Sequence, residues 1–204
     1  MSSQLEFQPY VQACEVSYIS QAPDGKRVTV GPLNLELRRG EFISLLGPRG
    51  SGKSIVLKII AGLIPATTGE VKVAGKEIES PVSESGFVFE NPLLLNWRNV
   101  IKNVLLPAEM RGLDCRVSED HARQLLAVME LSGLEDRNVH ELSLDLAVRV
   151  SVCRALVHHP TLLLMDDPFR HVDLLSCRAS SFKAALRPAR PGSRTDRRRT
   201  RACG

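Results

Sequence analysis

The sequence has no run of about eighteen apolar residues, so no segment reads as a membrane-spanning helix. Its first residues, Met1-Ser2-Ser3-Gln4-Leu5-Glu6, lack both the basic start and the apolar stretch of a secretory signal. Cysteine is sparse. The five cysteines, at 14, 115, 153, 177 and 203, are odd in number, scattered and never spaced C-x-x-C. That argues against a disulfide framework or a zinc site and for reduced thiols in a cytoplasm. Aromatic residues are only 4% of the chain, and residues 187–204 contain none that would stack on a base.

What remains is an ordinary globular composition, 43% hydrophobic and 25% charged over 204 residues. That is enough for one well-cored domain with room for an inserted subdomain. The net charge of +4 is unevenly placed. Residues 187–204 carry seven arginines (187, 190, 194, 197, 198, 199, 201) against Asp196, a net +6, which leaves −2 for the rest. The body is mildly acidic and the basicity sits in the tail.

Residues Gly47-Pro48-Arg49-Gly50-Ser51-Gly52-Lys53-Ser54 fit G-x-x-x-x-G-K-[ST] at every fixed position. The apolar run Phe42-Ile43-Ser44-Leu45-Leu46 before it has strand length. Ile55, Val56, Ile59, Ile60 and Leu63 after it recur at helical spacing. Strand, glycine loop and helix together make a phosphate cradle, in which backbone N–H groups curl around an anion at a helix N-terminus. Lys53 is expected on the β- and γ-phosphates of a nucleoside triphosphate and Ser54 on Mg²⁺. The bland alternative is a glycine-rich turn without ligand, which leaves the Lys-Ser pair unexplained.

Taken in order, Val11–Tyr18 and Arg27–Leu37 read as strands around a turn at Ala22-Pro23-Asp24-Gly25. Arg38-Arg39-Gly40-Glu41 reads as a second turn. Thr67-Thr68-Gly69 reads as a break, Glu70–Ile78 as a hairpin, and Gly86-Phe87-Val88-Phe89 as a short buried strand. From Asn91 to Gly133 the pattern is helical. Ser118 is the expected cap, Ala122, Leu125, Leu126 and Met129 the apolar stripe, and Gly133 the stop. A further helix is predicted from about Leu144 to His158, ended by Pro160. The apolar strand Thr161–Met165 then runs into Asp166-Asp167. Alone, that last stretch reads equally as any buried strand with a polar turn. After a phosphate loop it reads as the site's second half, with Asp166 on Mg²⁺ and Asp167 orienting the attacking water.

From residue 11 to about residue 176 the chain resembles the ATP-binding subunits of ABC transporters. Gly86-Phe87-Val88-Phe89-Glu90-Asn91-Pro92 holds the family's Gln-loop position, and Glu141-Leu142-Ser143-Leu144-Asp145-Leu146 its signature. Leu162–Asp167 holds the acidic strand, and His171-Val172-Asp173 the D-loop. Pro92–Val100 followed by Asn103-Val104 is similar to the nitrate/sulfonate/taurine importer branch. The resemblance implies an α/β fold, a P-loop NTPase (RecA-like) core with an antiparallel β subdomain and a helical subdomain, its C-terminal part missing. It divides the chain into 1–90 (β subdomain and P-loop core), 91–143 (helical subdomain), 144–176 (signature helix and acidic strand) and 177–204 (basic, disordered tail). It implies ATP and Mg²⁺ as cofactors, held by Gly47 to Ser54 with Ser54, Asp166 and Glu90 as metal ligands and Asp167 and Glu90 as catalytic carboxylates. It implies as partners a transmembrane permease subunit and a second ATPase subunit, no nucleic acid, and a cytoplasmic place on the inner face of the membrane. The solute class is a small anion or sulfonate.

The departures from the family pattern bear on hydrolysis. Glu90 stands in place of the Gln and adds charge beside a triphosphate. Asp167 stands in place of the catalytic Glu, and pulling a carboxylate back by about 1 Å can cost about 10²-fold. Leu144 and Asp145 replace the signature's glycines, and Asp145 is expected to cap its own helix. Two like charges at 4 Å cost on the order of 4 kcal/mol at an effective dielectric near 20. Ser20 stands where the family has an adenine-stacking aromatic, with Tyr18 as a substitute. No strand ending in histidine is legible after Asp173, and the tail has the composition of a shifted reading frame. An Arg-rich nucleic-acid or membrane arm is the alternative reading of that tail. Three functions therefore stand side by side: an importer ATPase with impaired hydrolysis, a silent nucleotide-binding partner, and a decayed relative. A non-transport ATPase of the same superfamily is the runner-up class.

Overall fold

A computed structural model describes residues 8–21 and 27–168. The D-loop residues His171–Asp173 and the tail 177–204 lie outside the described residues. The chain divides into two compact units, with the boundary between Ser85 and Gly86.

The first unit is a four-stranded antiparallel sheet in the order β2-β1-β3-β4 with one helix. Its strands are β1 (Val11–Gln21), β2 (Arg27–Leu37), β3 (Thr68–Val73) and β4 (Lys76–Glu77). Val11, at the centre, pairs with Leu37 on one side and Val73 on the other and is fully buried. Burial alternates through Val11 and Ala13 and then skips to Val16. The skip comes from a bulge in which Glu15 has φ +49, since one extra residue moves every later side chain to the other face. Gly69, expected in a break, instead lies inside β3 opposite that bulge. At φ +79, a Cβ there would stand 2.4 Å from the Cys14 and Glu15 carbonyl oxygens. The predicted hairpin forms, turning through Ala74 and Gly75, both at positive φ. Helix α1 (Lys53–Ile60) sets Val56, Ile59 and Ile60 against β1 and β3.

One predicted strand does not form. Phe42–Leu46 is irregular, with Phe42 and Leu46 exposed. A strand exists only as a member of a ladder, and none of the described residues pairs with this run. Leu63, placed on the helix by periodicity, falls beyond its end and is half-exposed.

The second unit holds β5 (Ser85–Val88), which begins at the boundary, α2 (Val100–Met110), α3 (Cys115–Val128), α4 (Leu144–Leu156) and β6 (Leu162–Met165). Strands β5 and β6 pair in a two-stranded sheet, and the three helices pack on one another. The predicted stripe of Ala122, Leu125, Leu126 and Met129 is buried, joined in one core by Val88, Val104, Val148 and Val152. Ser118 is not the cap of α3. Asp114 is, accepting from the Arg116 and Val117 N–H groups, and Ser118 is buried inside the helix. The helix ends before Gly133, at Val128 with Met129 as its cap, and the chain turns at Glu130. With φ +59 there, Leu131 N–H donates to the Leu126 carbonyl and Glu130 N–H to that of Ala127. This is a Schellman turn made without glycine. Cys14 and Cys153 are free thiols, as expected of reduced cysteines.

Beside the end of α4, the rings of His121 and His159 stack at 4.0 Å, and His121 Nδ1 lies 3.0 Å from the Val157 carbonyl. Burial, and then the neighbouring His121, lower the His159 pKa from its ordinary value of 6.5. The folded chain therefore binds fewer protons here than the unfolded one. Its contribution is complete above the ordinary value and fades as pH falls through the lowered one. Urea unfolding between pH 8 and 5 should show stability falling on acidification, and His159→Asn should flatten that slope. An unchanged slope would remove the pair from the account.

Candidate functional site: the phosphate loop and the acidic strand end

The loop from Gly47 to Ser54 joins the irregular Phe42–Leu46 run to α1. Gly50 and Gly52 turn it with φ +79 and +88, values that side chains disfavour. The two differ in surroundings. A Cβ on Gly50 would meet nothing within 4 Å, but one on Gly52 would stand 2.4 Å from Val30 Cγ2 in β2. Gly52→Ala should therefore destabilise the first unit by about 2–4 kcal/mol, from left-handed strain plus overpacking. Gly50→Ala carries the strain alone, about 1–2 kcal/mol. Thermal melts of the two variants test the ranking, and equal losses would contradict it.

The loop closes on its own lysine. Lys53 Nζ donates to the Gly47 and Pro48 carbonyls at 2.7 Å each and to Ser51 Oγ at 3.3 Å. A Cβ on Gly47 would come within 2.9 Å of that Ser51 Oγ, so the cradle is tight. Helix α1 begins at Lys53 with no side-chain cap and no acidic residue in its first turn. Its first intrahelical bond is from Val56 N–H to the Gly52 carbonyl. The positive end of the helix thus has no side-chain cap and no acid of its own first turn, as suits an anion site. Gly50, Gly52, Lys53, Ser54 and Ile55 line a hollow of about 210 Å³. Arg49 and Pro48 are exposed on the rim. The residues fit a polyphosphate: a loop too close-packed for a side chain at Gly47 and Gly52, an ammonium gathered into it, and a helix start with no side-chain cap. Tyr18 stands opposite Val30 in the β1–β2 register, beside the loop's Gly52 contact, whereas Ser20 lies opposite Val28.

The acids lie in the second unit. Asp166 follows β6, is buried, and donates its N–H to the Val88 carbonyl of β5 at 2.9 Å. Glu90 is two residues beyond Val88 and half-buried. The pairing of β5 with β6 therefore brings Glu90 and Asp166 to one end of the same two-stranded sheet. Asp167 is exposed, with φ +44, a conformation aspartate tolerates.

At the signature position the expected cap is corrected. Ser143, not Asp145, caps α4, its Oγ accepting from Leu146 N–H at 3.3 Å. Asp145 instead pairs with Arg149 one turn on, Oδ2 to Nη2 at 2.9 Å, while Glu130 lies 3.8 Å from the other amino group. The Arg149 side chain is only 8% exposed, and its Nε and Asp145 Oδ1 are buried without hydrogen-bond partners. The i,i+4 spacing of Asp145 and Arg149 was the signal available for this pair. Capping won the sequence reading because Asp is a common cap, but Ser143 already held the position.

A glycine loop gripping its own lysine at the start of an uncapped helix is the loop of a P-loop nucleotide-binding protein of the α/β class. The sequence profile of the ABC transporter family matches residues 30–170; the chain belongs to that family. It is 40% identical over 159 residues to the taurine import ATP-binding protein TauB of Escherichia coli O157:H7, covering 78% of this chain and 62% of that protein. To TauB of Escherichia coli K12 it is 40% identical over 149 residues, 73% of this chain and 58% of the relative. An uncharacterized ABC transporter ATP-binding protein of Methanocaldococcus jannaschii is 37% identical over 151 residues, 74% of this chain and 57% of the relative. The chain thus spans about three fifths of the length of these relatives. Among solved structures, an ATP-binding cassette in a dimeric post-hydrolysis state with ADP and Pi superposes with TM-score 0.73 at 27% identity, covering 80% of this chain and 76% of that one.

Proposed function

We propose that the chain is the ATP-binding component of an ABC importer for a sulfonate-type solute, and that it binds Mg-ATP while hydrolysing it poorly. The observation that carries this is the phosphate loop, with Lys53 held 2.7 Å from two loop carbonyls at the foot of an uncapped helix. When bound, Mg-ATP brings a triphosphate whose charge the Lys53 ammonium and the α1 N–H groups neutralise. Lys53 would hold the phosphate oxygens with the ammonium now on the Gly47 and Pro48 carbonyls, and the Ser54 hydroxyl would hold the metal. Asp166 and Glu90 are the carboxylates assigned to the metal, Asp167 the one assigned to water, and Tyr18 the ring nearest the loop for the base. Similarity to taurine import proteins supports the solute class. A transmembrane permease and a second ATPase subunit are the partners. Trp97, 80% exposed, and Leu93, 60% exposed, form the permease-facing surface. Among the described residues no helix is long and apolar enough to cross a membrane, which suits a subunit seated on the inner face through its permease.

Slow hydrolysis follows from Asp167 and from Asp145. The carboxylate fixed by Arg149 in the first turn of α4 sets a negative charge where the family signature has glycine. Arg149 compensates the charge, so the burden on an approaching phosphate is the bulk of the Leu144 and Asp145 side chains where glycine would leave room. Asp167→Glu alone should therefore raise turnover by less than about tenfold, because those two side chains remain. A phosphate-release assay tests this, and a gain of two orders of magnitude would contradict it. Retained ATP binding with slow turnover also fits a silent partner in an asymmetric pair. The Asp145–Arg149 pair weighs against that second reading, since it burdens the partner's site while Asp167 burdens this chain's own, and losses in both sites fit a decayed relative better than a silent subunit.

A further inference from the structure

The stretch from Asn91 to Arg98, between β5 and α2, has no regular secondary structure but is fastened at both ends. At its start, Arg154 of α4 donates from Nη2 to the Pro92 carbonyl and from Nη1 to the Leu93 carbonyl, each at 2.8 Å. A planar guanidinium meets two successive carbonyls with one rigid fork, which an ammonium cannot do. At the other end, fully buried Asn103 of α2 donates to the carbonyls of Leu95, Arg98 and Asn99 and accepts from Leu95 N–H. Helices α2 and α4 pack against each other, so both anchors stand on one support. Glu90 is two residues ahead of the first anchor point, and exposed Trp97 lies within the span that Asn103 governs.

We infer that Arg154 is a positioning residue for Glu90: by gripping the Pro92 and Leu93 carbonyls, it holds the Glu90 end of the loop to α4. The Glu90 carboxylate then meets a metal from a fixed backbone and does not have to be ordered when the metal arrives. Because the fork lies next to Glu90 and Asn103 lies farther on, losing Arg154 releases the Glu90 end while the Trp97 end stays held. This inference rests on the assignment of Glu90 to magnesium.

The test uses the full chain with Arg154→Met and Arg154→Lys, measuring ATP affinity with and without Mg²⁺. Trp97, the single tryptophan of the chain, reports on the far end of the loop through the anisotropy of its fluorescence. Arg154→Met should cut the gain in ATP affinity conferred by Mg²⁺ by about tenfold, as loss of a group that orients a metal ligand does. Metal-free affinity and Trp97 anisotropy should stay as in the unmodified chain. Arg154→Lys, with one ammonium for two carbonyls, should fall between the two, and it decides the matter alone if the Met variant does not fold. An unchanged Mg²⁺ gain would overturn the inference. So would a fall in Trp97 anisotropy to that of a freely moving side chain, since the whole loop would then have come away and Arg154 would be merely structural. No Mg²⁺ gain in the unmodified chain would overturn the assignment of Glu90 itself and take this inference with it.

Discussion

Lys53→Ala is expected to weaken Mg-ATP binding by about 10²-fold or more, equivalent to roughly 2.7 kcal/mol. The size follows from what the ammonium does. It holds two carbonyls at 2.7 Å in the ligand-free loop, so moving it to phosphate exchanges existing bonds for charge-assisted ones. Each hydrogen bond to a charged group is worth about 1.5–3 kcal/mol. The alanine variant loses that exchange and also leaves the Gly47 and Pro48 carbonyls without the group that gathers them. Lys53 is only half-buried, so the fold should survive, with a melting temperature close to that of the unmodified chain. Fluorescence titration with a labelled ATP measures the affinities. Equal affinity in both proteins would mean that the loop is a turn and not a cradle.

The second large effect concerns stability. Asn103→Leu should destabilise the second unit by about 3–4 kcal/mol, a fall in melting temperature of roughly 10 °C. Volume is nearly kept, so the loss is polar. One side chain supplies four hydrogen bonds to the loop ahead of α2, three as donor and one as acceptor from Leu95 N–H at 2.7 Å. Leucine leaves the Leu95 N–H and the Arg98 carbonyl without this partner in a part-buried setting, where an unsatisfied group costs about 1–3 kcal/mol. Asn103→Asp should be at least as harmful, because it gives up both amide N–H donors and buries a charge. Urea unfolding measures both variants. A leucine variant within 1 kcal/mol of the unmodified chain would show that the loop reorganises without Asn103.

How much of this was legible in the sequence depends on where the information lay. The phosphate loop needs specific residues at specific spacing for a local reason, so it could be read directly, as could β2, the β3–β4 hairpin and the buried stripe of α3. The misses are positions where a distant or competing partner decides. Phe42–Leu46 has strand composition, yet composition cannot supply a ladder partner. Gly69 looked like a breaker because the bulge it faces, at Glu15, lies more than fifty residues away. Ser118 looked like a cap, but Asp114 came first, and the helix ran through the serine. Asp145 was assigned to capping although Arg149 stood one turn away with the opposite charge. Neither Asn103 nor Arg154 was assigned an anchoring role from sequence, because anchoring an irregular loop leaves no periodicity to detect.

The most direct test of the central claim is an amide NMR titration of the isotopically labelled chain with Mg-ATP. The account predicts that the largest shifts fall on the backbone N–H groups of Gly50, Gly52, Lys53 and Ser54, with saturation at one nucleotide per chain, and that Lys53→Ala removes them. No shift in this loop at saturating nucleotide, or shifts confined to residues outside Gly47–Ser54, would contradict it.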